Sequence, residues 1–408
     1  MSAAPGPVRS TRWAALMPVL VYAISGAGFA LANLLLARWL PEGEYAVFTL
    51  VLALMNLGSP LAAIGLDAVA VRRRLDFGPR LLRQVLLASS AIGLATGLVG
   101  AGYGLGLVDI GLVVAASAGG GTMLVAAAEF QRRHRFGLAL TLVQAPNVAL
   151  LFAAGVTLAL RAEGALIPLA ITAAGSVLAA GAGWALLLVE ARHPQPESVP
   201  WREALSLAGT NASGTLLGQL DRLIIPYLLP LSALATYGAL SAVIGSLFRV
   251  LQRGVGYALL PRLRAAGTVQ DRRRLVGGEA RLVAGVAGLG AVALWLATPA
   301  VEHWVLDDKY HFAPALVLAA IVAGAGRIFT AFSRATVTAL ADARELALVN
   351  LAGWLSVGLA VAAAAAGARW GLVGVVYGVG LGWVVRALAS LAITMRHLRP
   401  AAAPGTAP

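Results

Sequence analysis

The chain has 408 residues, of which 59% are hydrophobic and 12% charged, with a mean hydropathy of +0.83. A soluble domain carries about twice that charged fraction, and a disordered chain needs low hydrophobicity, so both classes are excluded. The net charge is +13 and cysteine is absent, which leaves no disulfide framework, thiolate nucleophile or cysteine-held zinc.

A membrane-crossing helix needs about 20 mostly apolar residues. That window predicts spans near 14–37, 45–69, 82–105, 108–128, 136–160 and 166–189. A second set follows near 203–225, 232–258, 280–298, 313–338, 345–366 and 370–394. The expected class is therefore all-α, a polytopic membrane protein with about twelve transmembrane helices. The first apolar run is too long for a signal-peptide core and another span follows it directly, so it reads as a retained span.

The arginines set the orientation. Of 31 basic residues only Lys309 is not arginine. One set of loops holds Arg72, Arg73, Arg74, Arg80, Arg83, Arg132, Arg133, Arg135, Arg192 and Arg202. The same side holds Arg262, Arg264, Arg272, Arg273, Arg274, Arg281, Arg334 and Arg344. With Arg9, Arg12, Arg396 and Arg399 in the tails this makes 22. The opposite loops hold four: Arg38, Arg161, Lys309 and Arg369. The positive-inside rule then places both termini in the cytoplasm. Most of the basic excess is a topology signal, with anionic membrane lipids as contacts, and nucleic acid is not an expected partner. The excess of Ala, Gly and Arg suits a GC-rich bacterial gene, so the expected location is a bacterial cytoplasmic (inner) membrane.

The polar stretch from Glu190 to Arg202, with three prolines, reads as a linker. It divides the chain into a first six-helix lobe (1–190), a cytoplasmic linker (191–202) and a second lobe (203–408). The halves look alike. Leu40-Pro41 precedes Tyr45, a span and a basic loop; Leu229-Pro230 precedes Tyr237, a span and a basic loop. Six spans each, both starting on one side, make a parallel repeat, and transporters built this way bind substrate between the repeats near the midplane.

Soluble-enzyme motifs are missing: no phosphate-binding Walker lysine, no HExxH and no nucleophile elbow. The protein is not expected to be an enzyme or to carry a cofactor. His303 and His311 beside Glu302, Asp307 and Asp308 could suggest a metal, but a solvated charged loop is the better reading. Glycines recur every four residues at Gly374, Gly378 and Gly382, and at Gly93 and Gly97; such spacing lets helix backbones approach closely.

The intramembrane charges are the candidate site. An arginine at mid-bilayer costs at least ~2.5–3.5 kcal/mol on the insertion scale, so it needs a cavity, an anion or a partner. Arg249 and Arg253 are four apart and share a helix face. Arg327 lies near the middle of the tenth span. Asp221 and Arg222 follow Gln219 near the outer end of the seventh, as an interfacial cap or a cavity pair. Arg386 is close enough to the cytoplasmic tail to snorkel. Asp67 sits near Arg72 to Arg74, as a structural ion pair or a coupling-ion site; Asp221 is the other coupling candidate. Asn33, Asn56, Gln144, Asn147 and Asn350 each need a protein or water partner.

The stretch ANLLLARWLPEGEYAVFTLVLALMNLGSPLAAIGLDAVAVRRR resembles the start of bacterial polysaccharide transporters, whose second span ends in an "xGL" segment before a basic loop. The stretch QLDRLIIPYLLPLSALATYGALSAVIGSLFRVLQRGVGYALLPRLR is similar to the start of their second half, matched by Asp221, Arg222, Tyr237 and Pro261. These transporters include O-antigen flippases and belong to the multidrug/oligosaccharidyl-lipid/polysaccharide exporter superfamily. The resemblance implies two lobes around a central cavity lined by the first, second, seventh and eighth spans. It implies flipping of an undecaprenyl-diphosphate-linked oligosaccharide to the outer leaflet, with glycan polymerases or glycosyltransferases as possible partners. Two other readings stay open: a lipid II-type flippase, and a multidrug and toxic compound extrusion antiporter, which needs acidic groups at cavity depth.

Overall fold

The computed structural model describes residues 12–72, 77–190, 199–245 and 268–398, with residues 75, 248, 263 and 266. Twelve long helices and one short one account for almost all of these. They are α1 (Arg12–Trp39), α2 (Glu42–Ala62), α3 (Leu66–Arg72), α4 (Pro79–Gly102), α5 (Leu107–Arg132), α6 (Phe136–Ala159) and α7 (Leu166–Glu190). After residues 191–198, which lie outside the described set, come α8 (Trp201–Leu228), α9 (Leu231–Gly245), α10 (Val269–Ala300), α11 (Pro314–Leu340), α12 (Ala343–Gly367) and α13 (Gly371–His397).

Eight helical stretches among the described residues are long and apolar enough to cross a membrane, one of them (Arg344–His397) holding α12 and α13 together. The described parts of α1 and α9 are apolar but shorter. Helix α8 has span length but is diluted by Asn211, Gln219, Asp221 and Arg222. The chain is a polytopic all-helical membrane protein. Side chains such as Leu87, Leu98, Phe152, Leu178, Leu289 and Leu355 are more than half exposed, as expected where the surrounding solvent is hydrocarbon.

The second expected span is not one helix. It breaks at residues 63–65 into α2 and α3, with Ile64 and Gly65 at positive φ. A Cβ on Gly65 would lie 2.1 Å from the Ala204 carbonyl of α8, so only glycine fits there. The "xGL" segment thus marks a helix break that docks the first half on the second. The ninth span also differs from its expected bounds: α10 begins eleven residues earlier than 280, because Thr268 caps it by accepting from the Asp271 N–H at 3.1 Å. The basic run Arg272 to Arg274 is therefore helical.

Helices α1 to α7 pack mainly on one another, as do α10 to α13; α8 packs on both groups, against α2 and α3 on one side and α12 and α13 on the other. The glycine spacings work inside the protein. Gly374, Gly378 and Gly382 press on Gly367, Ala364 and Ala360 of α12, and Gly93 and Gly97 on α5. A Cβ at Gly378 would meet the Ala364 nitrogen at 2.4 Å.

One ion-pair cluster fixes the basic face of the first half. Glu129, fully buried at the end of α5, accepts from Arg132 at 2.8 and 2.6 Å and from Arg133 at 2.6 Å. Arg133 and Arg135 continue to Glu190 of α7 at 2.7 and 2.5 Å. Replacing Glu129 by Ala leaves both of its arginines without their shared acceptor, and charge-assisted bonds of this kind each contribute about 1.5–3 kcal/mol. We expect Glu129→Ala to lower the melting temperature in detergent more than Arg132→Ala does, because Arg132 is partly solvated and Glu129 is not.

Candidate functional site

A cavity of about 780 Å³ lies between the two halves. Its first-half wall comes from α2, α3, α5, α6 and α7 and its second-half wall from α8, α11 and α13. Of the wall that the resemblance implies, α2 and α8 line the cavity; among the described residues α1 and α9 do not, and residues 249–258 of the eighth expected span lie outside that set. Helices α11 and α13 also line it, which the resemblance did not imply.

Most cavity-lining positions on α2, α5, α8, α11 and α13 fall in the halves of those helices nearer the basic loops or at their middles; Gly218 and Gln219 of α8 lie farther out. Exposure rises toward that face: Arg386 is buried, Arg334 half-buried, and Thr338 and Asn211 exposed. The opposite face is closed by contacts between the halves. The Tyr103 hydroxyl donates to the Leu223 carbonyl at 2.7 Å, and its ring lies 4.6 Å from that of Tyr227. Tyr45 and Tyr310 meet with ring centroids 6.2 Å apart. Lys309 Nζ donates to the Ala37 carbonyl at 2.9 Å and also to that of Leu40, so a cation sits on the negative end of α1. Burial there pushes the Lys309 pKa below the ordinary lysine range, against a smaller opposing pull from Glu42. The cavity is thus open on the basic face and sealed on the other.

The two walls differ in charge. The second half contributes three arginines, Arg327, Arg334 and Arg386, with Asn211, Gln219 and Thr330. The first half contributes Asn56, Ser59, Asn147, Thr172 and Ser176, with Asp67 as the one carboxylate among the described lining residues. Asn147 is held by Ser25 and Gln144 at 3.0 and 2.9 Å. Apart from Asp67, the N-terminal wall is a neutral hydrogen-bonding surface, and the C-terminal wall is cationic.

Arg327 is not free. Its Nη2 lies 2.6 Å from Asp221 Oδ2, and its guanidinium stands over the Trp383 ring at 5.4 Å. Asp221 also accepts from the Tyr237 hydroxyl and from the Arg222 N–H at 2.9 Å. Arg222 donates to Ser241 at 2.7 Å. This network surrounds a small second cavity of about 40 Å³ between α8, α9 and α11. Asp221 and Arg222 are both buried, so neither is an interfacial cap, and Arg222 lines the small cavity rather than the large one.

The remaining expected residues fall as follows. Asn56, Gln219 and Asp67 line the large cavity. Asp67 has no ion pair with Arg72 among the described residues; Arg73 and Arg74 lie outside them. Asn33 does not reach the cavity, because its amide donates to the Phe29 carbonyl of its own helix at 2.8 Å. Arg249, Arg253 and Pro261 lie outside the described residues. In the Glu302–His311 loop, His303 meets Asp308 at 2.8 Å, Asp307 meets Arg38 at 3.4 Å and Glu302 accepts from the Phe312 N–H at 2.8 Å.

Two expectations about arginines are corrected. Arg386 does not snorkel: it is 4% exposed, and its guanidinium lies between Gly214 of α8 and Gly353 of α12. Arg334 is not in a loop; it is inside α11 and donates to the Asn211 side chain. The signal was available, since Arg327 and Arg334 are seven apart and so share a helix face.

No family model and no curated protein matches the sequence. Solved structures do match in fold. An inward-facing multidrug resistance MATE family transporter of the MOP superfamily is 13% identical, over 93% of this chain and 98% of that one, at a TM-score of 0.69. The lipid II flippase MurJ, in an inward closed conformation, is 11% identical over 92% and 87%, at 0.65. A MOP superfamily transporter from Pyrococcus furiosus, described as having a binding pocket of reverse polarity that suggests a different function, is 15% identical over 93% and 95%, at 0.56. The chain has the fold of MOP superfamily transporters.

Proposed function

We propose that the protein is an alternating-access flippase that loads an anionic, lipid-linked oligosaccharide from the cytoplasmic leaflet and releases it to the outer leaflet. The observation that carries this reading is the charge of the cavity: with Arg327 paired to Asp221, two further arginines, Arg334 and Arg386, stand against one lining carboxylate, Asp67. A diphosphate carrier brings negative charge into the membrane, and guanidinium groups recognise phosphate by paired hydrogen bonds. The neutral wall with Asn56, Ser59, Asn147, Thr172 and Ser176 suits hydroxyl-rich sugar. With the basic loops in the cytoplasm, the open face is the loading side. Rocking of one half against the other about the α2–α8 contact is the expected motion.

A cation extruder of the multidrug type is the competing reading, and the charge disfavours it. Asp221, the other acid at depth, is neutralised by Arg327 at 2.6 Å. A lipid II-type flippase would carry the same diphosphate and differ in the group attached to it. The test uses proteoliposomes with fluorescent undecaprenyl-diphosphate oligosaccharide, with lipid II, and with ethidium. Transfer of a lipid diphosphate between leaflets should accelerate over protein-free vesicles, while ethidium should not move. Ethidium transport without lipid transfer would overturn the assignment.

A further inference from the structure

We propose that Arg386 and Arg334 form a built oxyanion subsite for a phosphoryl group, separate from the Arg327–Asp221 pair. Arg386 is the centre. It is 4% exposed, and its Nη1 is buried with no hydrogen-bond partner. A bare guanidinium in that position is costly, because a buried charge needs a counter-charge and filled hydrogen bonds. No carboxylate lies within ion-pair distance of Arg386 or Arg334 among the described residues, and Arg334 is anchored only by the neutral Asn211.

The slot is shaped for the guanidinium. A Cβ on Gly214 would stand 3.2 Å from Arg386 Nη2, and one on Gly353 would stand 3.4 Å from Cζ. Two glycines on two helices therefore admit the group. Ser213 Oγ, 2.8 Å from the Gly353 Cβ position, is also buried without a partner. An unpartnered guanidinium N–H beside an unpartnered hydroxyl marks a place for a ligand with acceptor oxygens. Arg386 and Arg334 both line the large cavity, so the ligand reaches them from the open face. A tetrahedral oxyanion would bridge the two cations and relieve their mutual repulsion.

The phosphoryl group could belong to a lipid headgroup or to a soluble anion, and two probes separate these. Full-length protein in nanodiscs is titrated with inorganic pyrophosphate and with undecaprenyl diphosphate. Both should bind, weakening as salt rises. Arg334→Gln and Arg386→Lys, each checked for monodispersity and melting temperature, should weaken binding by roughly tenfold or more. Arg344→Gln, exposed at the start of α12, should not. The lysine variant keeps the charge and loses the fork, so an effect in a folded protein reports recognition. Much tighter binding of the lipid identifies a headgroup site; binding of pyrophosphate alone identifies a soluble anion and keeps the subsite. The source rests on the flippase reading; the subsite does not. Pyrophosphate binding that depends on both arginines, without lipid transfer, would sustain the subsite and end the flippase reading. Probe binding unchanged by either substitution, or failure of both probes to bind, would end the subsite.

Discussion

Asp221→Ala should be among the most damaging single substitutions in the second half, costing ~3–5 kcal/mol as one partner of a buried ion pair is removed. Asp221 has a side-chain exposure of 5%, and Arg327 one of 14%. The carboxylate serves Arg327, Tyr237 and the Arg222 backbone at once. Its removal strands a guanidinium and a phenol hydroxyl beside a cavity that holds only about 40 Å³. That space has room for little more than one water molecule. The checkable form is a lower apparent melting temperature in detergent. Asp221→Ala combined with Arg327→Ala should recover part of the loss, because the double variant leaves no lone buried charge. A double variant less stable than Asp221→Ala alone would show that Arg327 stabilises through its Trp383 contact and not through Asp221.

The same residues show how far the sequence could be read. Hydropathy located the twelve helices because the bilayer imposes one length on every span. It could not see the break at residues 63–65, since the pieces on either side are equally apolar and the break depends on where Ala204 of α8 lies. Depth along a helix was legible for Arg327, but partners were not. Asp221 and Arg327 are 106 positions apart, and nothing local links them. Arg386 was misread for a related reason. Its distance from the tail permits snorkelling, and only packing against Gly214 and Gly353 shows that it points inward. The part of α11 and α13 in the cavity wall was illegible on the same grounds: which face of a buried helix meets a void is a property of its neighbours.

Alternating access requires the closed face to open, so tying it shut should stop transport. The pair to bridge is Arg38 and Asp307, which cross between the halves at 3.4 Å with side-chain exposures of 48% and 75%. An ion pair this solvated contributes under about 1 kcal/mol, so replacing both residues with cysteine should leave folding and transport nearly intact. The chain has no native cysteine, and a bifunctional methanethiosulfonate reagent therefore joins only the introduced pair. Lipid transfer in the proteoliposome assay should fall by roughly tenfold or more on bridging, because a covalent tie removes one of the two states from the equilibrium. Reductant should restore it. Lys309 explains why this face closes without the tie: its ammonium caps the α1 carbonyls and must leave them for water when the halves separate. Undiminished transfer after complete bridging would mean that substrate crosses without separation of Arg38 from Asp307, and the rocking motion would have to be abandoned.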